Sequence, residues 1–262
     1  MSLNTSLDEH HALVCGASSG LGRETALALA TAGARVSLMA RSKERLDAVA
    51  DACRAAGAPQ AEVHAVDLED RAALERAVDK VQASGAVHIL INNSGGPPGG
   101  PLLEADDEDF LAPLRRHLFA AHFLVKRLVP GMKQAGYGRI LNIVSTSVKE
   151  PIAGLGVSNT VRGAVASWAK TLSKELPAGV TINNLLPGFT ATDRLRSLKE
   201  GMAARQDRTP DQVEEAWLAT VPEGRLGDPR ELAALAAFLA SPAGAYVRGQ
   251  SIAVDGGRLS GI

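Results

Sequence analysis

Cysteine, aromatic side chains and excess charge of either sign are all scarce in this chain. Only two cysteines occur among 262 residues, Cys15 and Cys53. Two thiols without ligand-like spacing exclude a disulfide framework and a cysteine-based metal centre, and no metal site is expected. Cys15 ends an apolar run and Cys53 falls in an Ala-rich helical stretch, so both read as reduced thiols packed in or near a core. Lys plus Arg number 28 against 29 Asp plus Glu, a formal net charge of −1. That balance carries no electrostatic footprint for a nucleic-acid partner. No apolar run approaches the ~20 residues of a membrane-spanning helix. Residues 1–11 lack a basic stretch followed by an apolar one. The expectation is a cytoplasmic protein without a membrane or nucleic-acid partner.

Apolar residues make up 45% of the chain and charged ones 22%, a balance that supports a folded core. Short apolar runs alternate with longer amphipathic segments. Strands are predicted over 12–15, 34–40, 62–66, 87–91, 139–144, 180–186 and 250–254. Helical patterns fill the intervals 23–32, 43–56, 70–83, 106–134 (interrupted near Pro113), 155–176 and 229–240. Strands separated by helices build βαβ units with right-handed crossovers. The predicted fold is α/β: a Rossmann-type, doubly wound, parallel sheet of about seven strands with helices on both faces, in one domain over 1–262. A polar, charge-rich stretch at about 190–222 reads as a helical, lid-like excursion. Gly95 to Pro101 is Gly- and Pro-rich but sits mid-fold, and is expected to be a loop.

Gly16-Ala-Ser-Ser-Gly-Leu-Gly22 follows the first predicted strand and opens the first helix. In that context glycines let the backbone approach a pyrophosphate, and the helix start offers free N–H groups and a positive dipole end. Ser18 and Ser19 add hydroxyls. The end of the second strand discriminates between nicotinamide cofactors: an acid there binds the ribose 2′-hydroxyl of NAD(H), a base the 2′-phosphate of NADP(H). Here it reads Leu38-Met-Ala-Arg-Ser-Lys43, with no acid. Arg41, with help from Ser42, therefore points to NADP(H) rather than NAD(H).

With these motifs the chain resembles the short-chain dehydrogenase/reductases, especially their 3-oxoacyl-acyl-carrier-protein reductase-like branch, over about residues 10–257. Gly16, Ser18, Ser19, Gly20, Leu21 and Gly22 are similar to the family's glycine motif. Asp67-Leu68 resembles its adenine-contacting pair, and Asn92-Asn93-Ser94-Gly95 its sheet-steadying, cofactor-lining segment. Pro187-Gly188-Phe189-Thr190 resembles the turn beside the nicotinamide. Gly249-Gln250 and Val254-Asp-Gly-Gly257 resemble the C-terminal signature. The resemblance implies an oxidoreductase acting on a small carbonyl or alcohol, a cleft at the C-terminal sheet edge, and a homodimer or homotetramer.

The same resemblance exposes a break. Family enzymes use a serine, a tyrosine about thirteen residues later, a lysine four after that, and an upstream asparagine. Ser145 fills the serine position. The tyrosine position falls on Ser158, the lysine position on Arg162 and the asparagine position on His117. The only tyrosines, Tyr137 and Tyr246, lie in other motifs. Arg162 keeps a positive charge and can bond ribose hydroxyls, but its pKa above ~12 bars proton relay. Ser158 is too weak an acid and too short to replace a tyrosine without a bridging water. His117, able to titrate near neutrality, and Lys149 are candidate substitute donors, with Ser147 and Asn159 as groups that could orient a water. In the lid, Arg194, Arg196 and Lys199 could meet an anionic carrier or thioester. Two functions fit: an NADP(H)-dependent oxidoreductase with an altered proton-transfer set, or an NADP(H)-binding pseudoenzyme with a sensor or scaffold role.

Overall fold

The computed structural model describes residues 3–97 and 99–261. Pro98, within the loop expected at 95–101, lies outside the described residues. The first half runs β1 (His11–Cys15), α1 (Gly20–Thr31), β2 (Arg35–Ala40), α2 (Lys43–Ala55), β3 (Ala61–Ala65), α3 (Arg71–Ala83) and β4 (Ile89–Asn92). The second runs α4 (Asp107–Leu114), α5 (Ala120–Ala135), β5 (Gly138–Ile143), α6 (Gly156–Glu175), β6 (Val180–Pro187), α7 (Asp193–Gln206), α8 (Pro210–Leu218), α9 (Pro229–Ala240) and β7 (Ser251–Val254). Boundaries differ from the sequence expectation by a residue or two, the usual uncertainty of frayed ends.

The strands form one seven-stranded sheet in the order β3-β2-β1-β4-β5-β6-β7, every pairing parallel. Strand alternation divides the core in two. Ala12, Val14, Val36, Leu38, Ile89 and Ile91 face α1, α2 and α9, where Leu29, Leu46 and Leu232 meet them. Leu13, Cys15, Met39, Leu90, Ile140 and Ile182 face the opposite layer, with Leu74, Val78, Leu124 and Leu128 of α3 and α5. Successive residues of a strand point to opposite faces, so apolar residues at both parities require a covering layer on each side.

The expected interruption near Pro113 is a π-helical turn, Arg115–Phe119, between α4 and α5. Pro113 lies inside α4 and cannot donate to the preceding turn. The wide turn carries Arg116 and His117 toward the sheet.

A ladder of side-chain amides crosses the C-terminal half of the sheet. Asn92 Nδ2 donates to Asn142 Oδ1 at 2.8 Å, and Asn142 Nδ2 donates to Asn184 Oδ1 at 2.8 Å. Asn184 Nδ2 donates to Ser251 Oγ at 3.0 Å. These residues are direct register partners on β4, β5, β6 and β7. Parallel register stacks one residue of each strand in line, so one short amide per strand can bond its neighbour. The ladder ties β4, β5, β6 and β7 in register, at the end of β4 and next to the end of β5.

Candidate active site

The strand order reverses between β1 and β4, since the chain winds outward through β2 and β3 before crossing back. The loops leaving the C-terminal ends of these two strands diverge and open a crevice, the general ligand site of open α/β sheets. A cleft of about 470 Å³ lies there. Gly16, Ser18, Ser19, Gly20 and Leu21 line it after β1, Arg41, Ser42 and Arg45 after β2, Asp67 and Leu68 after β3, and Asn93, Ser94 and Gly95 after β4. Ser145, Ser158 and Arg162 line it from β5 and α6, and Pro187, Gly188 and Thr190 after β6.

The glycine turn is built for an anion. Gly16 takes a left-handed conformation (φ +62°), and a Cβ there would lie 2.6 Å from the Asn93 side chain. Gly22 does not line the cleft. A Cβ on it would meet the Gly16 carbonyl oxygen at 2.2 Å, so its part is to let α1 close against the turn. At the start of α1, Ser19 makes no side-chain cap bond and the first turn holds no acid. By contrast Ser42, Asp70, Asp106, Thr192, Thr209 and Asp228 cap their own helices. The N–H groups of α1 are thus left for a ligand that faces the cleft. Beyond β2, Asp47 pairs with Lys43 at 2.7 Å, which leaves Arg41 and Arg45 without a carboxylate among the described residues. Arg45 one helical turn past Arg41 is a basic partner that sequence reading missed; the four-residue spacing at a helix start was the available signal. These features fit a dinucleotide bearing a 2′-phosphate.

At the other end of the cleft, Ser145 Oγ accepts from the Ser147 N–H at 3.0 Å, which leaves the Ser145 hydroxyl proton free to donate. Ser158 and Arg162 lie one turn apart on the same face of α6. Arg162 Nη1 donates to the Ile143 carbonyl at 2.9 Å, while its Nε is buried without a partner. Burial, and then the nearby Arg194, push the Arg162 guanidinium down to about 10. It remains charged at neutral pH.

His117 is placed differently from the expectation of a group titrating near neutrality. It is 8% exposed and sits in a small cavity behind the cleft. Its Nε2 lies 3.2 Å from the Gly95 carbonyl and its Nδ1 2.8 Å from Ser94 Oγ. The carbonyl can only accept, so Nε2 carries the proton and Nδ1 accepts from the Ser94 hydroxyl. Burial, then Arg162 and Arg116, hold His117 well below the usual imidazole value. His117 is therefore a neutral positioning group for Ser94. The other candidate donors stand aside as well. Lys149 is exposed and off the cleft. Asn159 is occupied with Ile152, donating to its carbonyl at 2.9 Å. Ser147 is buried and does not line the cleft. No tyrosine lines the cleft among the described residues. The Tyr137 hydroxyl donates to the Ala240 carbonyl at 2.5 Å, and Tyr246 is fully exposed elsewhere.

The excursion expected at 190–222 folds as α7 and α8 around Ala203, Val213 and Trp217. Phe189 stacks on Trp217 with ring centroids 4.8 Å apart, and Leu195, Leu198 and Met202 complete an apolar wall of the cleft. Arg194 Nη2 donates to the Pro97 carbonyl and Arg205 Nη1 to the Gly99 carbonyl, which latches α7 onto the loop after β4. Arg194 lines the cleft. Arg196 and Lys199 do not; they pair with Asp193 at 2.5 Å and Glu214 at 2.6 Å. The apolar wall was not foreseen, because its residues read from sequence as one side of an amphipathic helix.

Comparison with known proteins agrees with this geometry. Residues 16–258 match the family model described as enoyl-(acyl carrier protein) reductase. The chain belongs to this family, within the short-chain dehydrogenase/reductases. It is 32% identical to the NADPH-dependent reductase BacG of Bacillus subtilis, covering 98% of this chain and 100% of that one. It is 34% identical to the 3-oxoacyl-[acyl-carrier-protein] reductase FabG of Vibrio cholerae, over 94% of this chain and 96% of the relative. The crystal structure of L-sorbose reductase from Gluconobacter frateurii, complexed with NADPH and L-sorbose, superposes with a TM-score of 0.92 at 27% identity, covering 99% of this chain and 100% of that one. Relatives that are NADPH-dependent reductases do not favour the pseudoenzyme alternative.

Proposed function

We propose that this protein is an NADP(H)-dependent oxidoreductase that interconverts a small carbonyl compound and its alcohol. One observation carries the reading: an uncapped α1 N-terminus, unpaired Arg41 and Arg45, and the free Ser145 hydroxyl all face one cleft. Gly16, Ser18, Ser19, Gly20 and Leu21 hold the pyrophosphate at the start of α1. Arg41, with Ser42 and Arg45, holds the 2′-phosphate. Asp67 and Leu68 border the adenine, Asn93, Ser94 and Gly95 form one wall, and Pro187, Gly188 and Thr190 flank the nicotinamide. The bound cofactor supplies or accepts a hydride.

The chain's own groups act on the substrate oxygen. Ser145 donates a hydrogen bond to it and orients the carbonyl. Arg162 stands where family members carry lysine, bonds the ribose and holds a positive charge near the developing negative oxygen. Ser158 is too weak an acid to release a proton itself, so it positions a water that delivers one. His117 holds the Ser94 hydroxyl and takes no proton. The neutral chain, with two free buried thiols, fits a reducing, cytoplasmic setting and no nucleic-acid partner. Among the described residues no helix is long and apolar enough to cross a membrane. Exposed Leu103, Leu111 and Phe119 around α4, and Tyr246 before β7, favour a homodimer or homotetramer through these faces; light scattering tests that point.

The experiment is titration with NADPH and NADH, followed by a hydride-transfer screen over carbonyl compounds. Tighter NADPH binding with turnover is expected. Absence of binding by either nucleotide would overturn the reading of the glycine turn, and binding without turnover on any carbonyl would overturn the assigned activity.

A further inference from the structure

Two arginines meet in the cleft with no acid between them. A Cβ built on Gly96 would lie 3.3 Å from Arg162 Nη2 and 3.5 Å from Arg194 Nη2. Both Nη2 groups therefore lie against the same side of Gly96, where any side chain would crowd them. Arg162 comes from α6 and Arg194 from the lid helix α7, two elements that otherwise share little of the core. The neighbouring acids are already committed. Glu69 forms an ion pair with Arg116 at 3.1 Å, Asp193 pairs with Arg196, and Glu214 with Lys199. Among the described residues the acceptors for this pair are neutral carbonyls, Ile143 for Arg162 and Pro97 for Arg194.

Like charges gathered in a partly dehydrated site repel, and neither is relieved by a neutral carbonyl. Both guanidiniums are held below their usual pKa by burial. Such a pair is stabilised when an anion enters between the forks. The cofactor phosphates have their own partners, at the start of α1 and at Arg41. Arg194 instead points to Gly96 and Pro97, on the loop after β4. One N–H of each fork is engaged, and Arg162 keeps three further donors on Nη1 and Nη2 besides its buried Nε, enough for a ribose hydroxyl and an anion together. Beside the forks stands the apolar wall of Phe189, Leu198, Met202 and Trp217.

Resting on the oxidoreductase reading, we infer that the substrate is a carbonyl compound bearing a carboxylate on an apolar body, its carboxylate clamped between Arg162 and Arg194. A planar carboxylate matches a guanidinium fork with two parallel hydrogen bonds, and its single charge suits a site where two donors are already spent on backbone. Closure of α7 would then be coupled to substrate charge, since Arg194 is both latch and clamp.

The test uses the full chain saturated with NADP⁺ and calorimetric titration with benzoylformate and 4-phenyl-2-oxobutanoate, each against its methyl ester. NADPH and NADP⁺ affinities are measured first; failure there refutes the cofactor reading before any acid is added. With the cofactor bound, each acid is expected to bind at least about tenfold tighter than its ester, the lower end for a charge-assisted hydrogen bond. Arg194→Gln should bring that ratio to about one while changing NADPH affinity less than about threefold, and Arg194→Lys should keep part of the preference. Acids that bind no better than esters, or do not bind at all, overturn the inference. So does an Arg194→Gln variant that loses NADPH affinity as strongly as acid affinity, which would assign Arg194 to the cofactor.

Discussion

Replacing Arg41 by alanine should separate the two nicotinamide cofactors. Arg41 follows β2 directly, lines the cleft and is exposed. Its ammonium-type neighbour Lys43 is neutralised by Asp47, so Arg41 and Arg45 are the free positive charges at this end. A charge-assisted hydrogen bond contributes roughly 1.5–3 kcal/mol. Exposure screens it, so the lower half of that range applies. Arg41→Ala should thus weaken NADPH binding about tenfold, and the Arg41→Ala/Arg45→Ala pair about a hundredfold, on the scale of 1.4 kcal/mol per decade. NADH has no 2′-phosphate, and its affinity should change less than about twofold by the same accounting. The advantage of NADPH in the wild type should shrink as salt rises from 0.05 to about 0.5 M, because the screening length falls to a few ångströms. Titration by nucleotide fluorescence reads all of these. Equal losses for NADH and NADPH would refute the argument, since a general distortion of the loop, not a phosphate contact, would explain them.

Three further outcomes follow from the same structure. Ser145→Ala should lower kcat by about 10²–10³-fold with little change in NADPH affinity, as loss of one donor to a developing oxyanion does; unchanged turnover would remove Ser145 from the reaction. Asn142→Ala breaks the amide ladder at its centre, where Asn142 is 1% exposed, and strands a donor on Asn92 and an acceptor on Asn184. At roughly 1–3 kcal/mol for each orphaned group, denaturant unfolding should show a loss of about 2–5 kcal/mol, and a loss under about 0.5 would mean the ladder is not continuous in solution. Acid should destabilise the fold through His11, whose Nδ1 faces Arg35 Nη2 at 2.8 Å and whose Nε2 faces Ser37 Oγ at 2.8 Å. Burial and then Arg35 lower it from 6.5 to about 4. The unfolded chain binds the extra proton in that window, so this stability is complete above pH 6.5 and is lost as pH falls toward 4. A Tm that stays flat from pH 7 to 5, or a His11→Asn variant with an unchanged slope, would refute it.

The parts of the molecule most legible in the sequence are those where one periodicity has one meaning. Val14 and Cys15 on β1 sit on opposite faces, and both are buried; an uninterrupted apolar run bounded by a glycine turn leaves little else to form. The glycine turn itself is legible for the same reason, because Gly16 and Gly22 each leave no room for a side chain. The lid is different. Leu195, Leu198 and Met202 recur at helical spacing, which predicts a face turned to apolar surroundings but not whether that face meets a core or a ligand. Here it does both, packing on Val213 and Trp217 and lining the cleft. His117 was legible as a residue in the right segment and illegible as a chemical group, because its proton inventory is set by Ser94 and Gly95, more than twenty residues away in the chain.

Those differences converge on the reacting end of the cleft. Of the groups expected there, His117 is neutral and behind the wall, Lys149 is outside, and no tyrosine is present among the described lining residues. What remains is hydroxyls and arginines: Ser145, Ser158, Arg162 and Arg194. None of these can deliver a proton at neutral pH, yet two carry fixed positive charge in a partly dehydrated place. On the proposed function, such a site would stabilise negative charge on oxygen, with proton delivery falling to water and hydride transfer helped by electrostatics rather than by a side-chain acid. The rate of the chemical step should then depend only weakly on pH between about 6 and 8, because no lining acid with an ordinary pKa in that range exists to titrate. A single-turnover pH profile with a clear inflection inside that window would identify a side-chain donor and overturn the argument.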